Sequence, residues 1–174
     1  MSVLPVRKSV RLAPENYRGF RQYFITLCCF ERQKLLSDEV LSKRTLALLQ
    51  LESATRSFGV PAYCVMPDHL HFLAEGLTPQ SDLLHFIKSF KIKSSREYAA
   101  QKARPLWQRA YYEHILRSGE AVESVAFYIW LNPVRKGITP RPQEYKFAGS
   151  FTGMQMPSAW DADTWIPPWK KTKP

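Results

Sequence analysis

Residues 63–75 read Tyr63-Cys64-Val65-Met66-Pro67-Asp68-His69-Leu70-His71-Phe72-Leu73-Ala74-Glu75. Apolar runs flank Met66-Pro67-Asp68, and a connection that short predicts an antiparallel hairpin with strands over 60–66 and 69–75. Side chains alternate faces along a strand, so His69 and His71 share one face while Leu70 points into the opposite layer. Two imidazoles a residue apart on a rigid backbone can share a divalent metal. Taken alone, a His-x-His is more often a pair of partly exposed histidines on a half-buried strand. The residues downstream change that balance.

Working outward, Arg21 to Phe30 (RQYFITLCCF) is rich in β-branched and aromatic residues and predicts a first, central strand. Ser37, followed by Asp38 and Glu39, starts a helix in which Leu41, Leu48, Leu51 and Phe58 recur at helical spacing until Gly59. After the hairpin, residues 81–101 form a second amphipathic helix. Leu83, Ile87, Phe90 and Tyr98 line one side, Lys88 and Arg96 lie opposite, and Lys91 and Lys93 flank. Tyr111 to Arg117 (YYEHILR) predicts a fourth strand. A third helix then begins at Gly119-Glu120 and runs to about Asn132, where Pro133 disfavours continuation. The order β-α-β-β-α-β predicts an α+β, ferredoxin-like (split βαβ) antiparallel sheet, with helices packed on one side and an appended third helix.

The chain has 174 residues, 45% of them apolar and 13% aromatic, enough for one domain with its own core. Residues 1–19 are a basic arm or irregular lead-in, 20–151 the domain, and 152–174 a Pro- and Trp-rich tail. A net charge of +10 points to a polyanionic partner, nucleic acid ahead of anionic membrane. No apolar run approaches the roughly 20 residues of a membrane span, and Met1 to Tyr17 lacks the apolar core of a signal peptide. Cys28, Cys29 and Cys64 are odd in number and sit in apolar runs, as buried thiols of a reducing cytoplasm do.

On the third helix Tyr128 and Asn132 are four apart and share a face. Alone, that spacing fits an ordinary interfacial tyrosine. Beside two histidines it suggests chemistry. A phenolate is a competent nucleophile for phosphorus, but a phenol of pKa about 10 is rarely ionised at neutral pH. A metal that polarises the scissile phosphate makes up the difference. His69, His71 and the side-chain oxygen of Asn132 would supply three protein ligands, and the donor set suits Mn²⁺ or Mg²⁺.

The motifs MPDHLHFL (66–73) and YIWLNPVRKGI (128–138), with LWQ and YYEHILR between them, resemble the REP-associated tyrosine transposases. That family belongs to the His-hydrophobic-His (HUH) single-tyrosine superfamily of insertion-sequence transposases. The resemblance runs from about Tyr23 to Phe151. It implies that His69 and His71 bind the metal, that Asn132 stands where the superfamily often has glutamine, and that Tyr128 is the nucleophile. Asp68 replaces the asparagine usual before the first histidine, either holding the turn or adding charge near the metal. The implied activity is single-strand DNA cleavage and strand transfer at hairpin-forming repetitive extragenic palindromes, through a 5′-phosphotyrosine intermediate. Lys88, Lys91 and Arg96, with Arg135 and Lys136, would grip the DNA backbone. His114 either orients the phosphate or is a packed, hydrogen-bonded histidine. The family implies a monomer or a dimer acting in the bacterial cytoplasm at the nucleoid. The competing reading is a DNA- or RNA-binding regulator that keeps the fold without turnover, against which the intact histidines and tyrosine speak.

Overall fold

The computed structural model describes residues 12–158. Pro67 and Asp68 turn the chain as expected, joining β2 (Phe58–Met66) to β3 (His69–Gly76) with Met66 opposite His69. Proline cannot take the positive φ of the turns that usually close two-residue hairpins, so this turn is braced from outside. Leu36 N–H donates to the Pro67 carbonyl and Cys29 N–H to that of Asp68, both at 2.9 Å, and Arg32 lies 3.7 Å from the Asp68 carboxylate.

β1 (Gln22–Cys28) pairs with β3, and β4 (Tyr112–Ile115) with the outer side of β1. The sheet order is β4-β1-β3-β2-β5, every pair antiparallel. Its first four strands have the ferredoxin-like order, with β1 and β3 in the middle. The two-residue β5 (Ala148–Gly149) adds an edge beyond β2.

Helices α1 (Glu39–Thr55) and α2 (Leu83–Lys102) cover one face. There Ile25, Leu27, Leu70 and Phe72 pack with Leu49, Leu83, Phe86 and Phe90. Each fully buried side chain of this size is worth about 1.5–3 kcal/mol over its exposed state. Helix α3 (Val122–Trp130) covers the opposite face, where Phe24, Ala62, Cys64, Met66 and Leu73 meet Val125, Ala126, Ile129 and Trp130. The appended helix thus packs across the sheet from the other two. That is the side on which strand alternation puts His69 and His71.

Several boundaries differ from expectation, each for a local reason. α1 is capped by Asp38, whose carboxylate accepts from Leu41 N–H at 3.0 Å, and it stops at Thr55 rather than running to Gly59. Phe58 and Gly59 already belong to β2, because pairing with β3 captures this segment before another helical turn can form; Leu51 is 60% exposed. Ser118 and Gly119 form a turn ahead of α3, which ends at Trp130. Pro133 lies in the first turn of a short helix, α4 (Asn132–Arg135), where its missing N–H costs nothing.

The described part of the lead-in is docked on the domain. Tyr17 is buried and its hydroxyl bonds Glu113 at 3.1 Å, while Arg18 pairs with Asp82 at 3.2 Å. Gly19 and Gly76 let two backbones touch, since a Cβ on Gly76 would lie 2.0 Å from the Gly19 carbonyl. Arg7, Lys8 and Arg11 of the arm and the tail beyond residue 158 lie outside the described residues. Met154 and Met156, at the start of the tail, pack against the α3 core.

Candidate active site

The rigid centre of the sheet carries the histidine pair. His69 and His71 stand on β3 between β1 and β2, 8% and 6% exposed, with their Nε2 atoms 3.0 Å apart. Each ring is held from behind at Nδ1. Asp68 accepts from His69 Nδ1 at 2.6 Å, and Thr26 Oγ1, directly across the strand pair, bonds His71 Nδ1 at 2.8 Å. These bonds aim both Nε2 atoms at one point. With its proton at Nδ1, facing the carboxylate, neutral His69 presents a bare Nε2 lone pair. Burial pulls the His69 pKa below its ordinary value, with the Asp68 bond and charge acting in the opposite direction, so the ring is neutral at neutral pH, the form a metal binds.

This donor set fits a divalent ion. Two neutral imidazole nitrogens turned toward one point are donors that a single divalent ion could share. A carboxylate and a hydroxyl behind the rings are the outer support that metal-bound histidines use. Among the described residues no group of three His, Cys, Asp or Glu converges here.

Helix α3 brings the phenol to this face. Tyr128 is 5% exposed, its ring edge-on to Phe24 at 5.8 Å and 6.4 Å from the His71 ring. Phe24 itself lies 5.3 Å from His71, so the three rings form one triangular cluster. The break between α3 and α4 holds the tyrosine from the other end. Asn132 Nδ2 donates to the carbonyls of Tyr128 at 3.0 Å and Ile129 at 3.1 Å. Its side-chain oxygen takes no part in these two bonds. The Arg135 guanidinium lies 4.2 Å over the Tyr128 ring and donates to the Tyr128 carbonyl, a cation–π contact and a hydrogen bond on one residue.

Two neighbours were not assigned a role from sequence. Thr26 is the one aliphatic hydroxyl in the apolar run of β1; its position two residues after Phe24, on the histidine face, was the available signal. Tyr112 stands opposite Thr26 on β4, its ring 6.2 Å from Phe24, and burial above all pushes its phenol up to about 12. His114 shares that face and is packed and hydrogen-bonded, its Nε2 2.7 Å from Glu120, whose carboxylate also accepts from Arg117 N–H at 2.8 Å. This tie joins β4 to the start of α3.

The basic residues divide between the faces. Arg135 and Lys136 follow the tyrosine helix; Lys136 is close enough for its charge to act on His69. Lys88, Lys91 and Arg96 lie on α2, across the sheet from the histidines. Lys91 is partly used internally, its ammonium donating to the carbonyls of Gln108 at 2.7 Å and Arg109 at 2.8 Å. Among the described residues no helix is long and apolar enough to cross a membrane.

The chain is similar to known proteins. The family profile "Transposase IS200 like" matches residues 21–131. A Haemophilus influenzae protein named provisionally as a REP-associated tyrosine transposase is 25% identical over 139 residues, covering 72% of this chain and 77% of its own. The REP-associated tyrosine transposase of Escherichia coli K12 is 26% identical over 93 residues, covering 53% and 54%. Among solved structures, a REP-associated tyrosine transposase bound to a REP hairpin superposes with a TM-score of 0.68 at 20% identity, covering 81% of each chain. At that identity the likeness concerns the fold. With a profile matched from the first strand to the end of the tyrosine helix, this chain belongs to the IS200-like transposase family.

Proposed function

We propose that the protein is a metal-dependent single-strand DNA endonuclease and strand transferase acting on hairpin-forming repetitive extragenic palindromic DNA. The observation that carries this reading is the convergence of the two Nε2 atoms, 3.0 Å apart, on the sheet face to which α3 delivers Tyr128. The relatives' names and the hairpin bound to the superposed transposase supply the substrate class.

His69 and His71 would hold the ion, with Asn132 as third protein ligand. A bound Mn²⁺ or Mg²⁺ supplies Lewis-acid polarisation of the scissile phosphate. Tyr128 Oη attacks phosphorus in line, forming the tyrosyl ester as the bond to the 3′-oxygen breaks. The phenol gives up one proton and the leaving 3′-oxygen takes one up, so the step balances with a 5′-phosphotyrosine and a free 3′-hydroxyl. Attack by another 3′-hydroxyl reverses the step and joins strands without a further energy source. Thr26 and Asp68 keep the imidazoles aimed, Arg135 keeps the phenol ring oriented, and Arg135 and Lys136 place positive charge beside the entering phosphate. The clustered cations of α2 give the DNA backbone a second, sequence-independent contact.

Incubation with Mn²⁺ and a single-stranded hairpin oligonucleotide is expected to give a protein–DNA adduct that survives denaturation. Tyr128→Phe should abolish it with binding retained. An adduct of equal yield in Tyr128→Phe means that another residue is the nucleophile.

A further inference from the structure

Across the sheet from the histidines, α2 and the segment 106–111 enclose a groove of about 480 Å³, within the range of small-ligand pockets, about 300–1,000 Å³. Its floor is apolar and aromatic, with Ile87, Trp107 and Tyr111. Ile92 sits on its lip, 57% exposed, a large apolar side chain in an otherwise cationic setting. Lys88 and Arg109 are exposed on the rim. Of the described residues that line it, three are cationic and none is acidic.

The groove is built rather than incidental. The Trp107 indole N–H donates to Ser94 Oγ at 2.8 Å and the ring packs on Phe90, so the floor is rigid. The Lys91 ammonium pins the carbonyls of Gln108 and Arg109 and lies 5.5 Å from the centre of the Tyr111 ring, fixing the far wall. That wall is also tied to the strand end that carries the histidine face. Gln108 N–H donates to the Cys28 carbonyl at 2.9 Å, Cys29 bridges Trp107, and Cys28 stands directly opposite His69. Two interstrand spacings, about 10 Å, thus separate the backbone of the wall from that of the first histidine.

We propose that this groove binds an unpaired nucleotide of the same DNA strand, its base against Tyr111 and Ile92 and its phosphate between Lys88 and Arg109. An aromatic face flanked by cations is the general means of holding single-stranded nucleic acid. The charges that line the groove are all positive, which selects a polyanion, and the short path over the strand end lets one strand occupy the groove and the histidine site together. The inference rests on the nuclease reading for the identity of the strand, and it adds a subsite on the opposite face a few nucleotides from the cut.

The test uses the full chain and a hairpin oligonucleotide with single-stranded flanks, in which an abasic residue replaces each flank nucleotide in turn. At one flank position the abasic substitution should weaken binding about tenfold in the wild type and have little effect in Tyr111→Ala. Lys88→Ser and Arg109→Ser should each lower the salt dependence of binding by about one phosphate contact, which keeps the proposal testable if Tyr111→Ala is unstable. Equal abasic effects in wild type and Tyr111→Ala at every position, with unchanged salt slopes in the lysine and arginine variants, overturn it. Unchanged DNA affinity in Tyr111→Ala with an altered sedimentation coefficient overturns it in favour of a protein occupant. The Tyr128 adduct assay reads independently. An adduct without the abasic coupling removes only the groove, and the coupling without an adduct removes the nuclease chemistry while leaving the groove.

Discussion

Replacing Thr26 by valine separates aiming of a metal ligand from ligation itself. Thr26 touches the site through a single hydroxyl, 2.8 Å from His71 Nδ1 and on the far side of the ring from the Nε2 that faces His69. Valine keeps the β-branched shape that suits the middle of β1. What is lost is a buried hydrogen bond that sets the ring's angle and, once a metal takes Nε2, receives the Nδ1 proton. Removing such an outer partner typically weakens metal affinity about 10–100-fold, or about 1.4–2.8 kcal/mol. Titration calorimetry with Mn²⁺, or the electron paramagnetic resonance of free Mn²⁺, reads this loss directly. Thr26→Ser should bind like the wild type, and His71→Ala should abolish binding. Metal-free melting temperatures would show that the fold persists in all three. Unchanged Mn²⁺ affinity in Thr26→Val, with binding abolished in His71→Ala, would refute the claim that the hydroxyl positions the ring.

Two further outcomes are expected. Arg135→Lys keeps the charge but loses the planar stack over Tyr128 and the fork that also reaches its carbonyl; adduct formation at saturating DNA should slow about tenfold or more, since misplacement of a reacting group by an ångström can cost about a hundredfold. An unchanged single-turnover rate would mean that the stack is incidental. Glu52, wholly buried between α1 and α2, is disfavoured as a carboxylate by burial, yet its bonds from Lys93 and Ser89 and the Arg56 charge outweigh that and hold its pKa below the usual value. A pKa lowered by folding means stabilisation present above the unfolded carboxylate's pKa and lost as pH falls through the lower folded value. Glu52→Gln should therefore cost about 1–3 kcal/mol in urea unfolding near neutrality, with the gap to wild type shrinking below about pH 4; a gap that stayed constant with pH would show that the carboxylate's charge is not what matters.

Much of the fold was legible because its signals are local. The β-branched and aromatic content of RQYFITLCCF marks β1, the apolar runs flanking Pro67-Asp68 mark the hairpin, and Asp38 caps α1 where Ser37-Asp38-Glu39 suggested a start. Phe58 misled, because helical spacing carried it past the end of α1 while its pairing partner, Gly76, is far away in sequence. Asn132 was recognisable as a ligand candidate from its spacing after Tyr128. The break at Leu131, which turns its amide hydrogens toward the helix, was not, since proline is equally at home after a helix and in the first turn of the next.

Determined by the sequence alone were the succession of strands and helices along the chain, the shared face of His69 and His71, and the presence of a phenol on a late helix, because periodicity is a property of neighbouring residues. Only the tertiary structure decided that α3 packs across the sheet from α1 and α2, that Thr26 stands behind His71, and that the cations of α2 face away from the histidines. Those facts depend on which face each helix covers and on strand register, and both are set by long-range packing that no local pattern encodes.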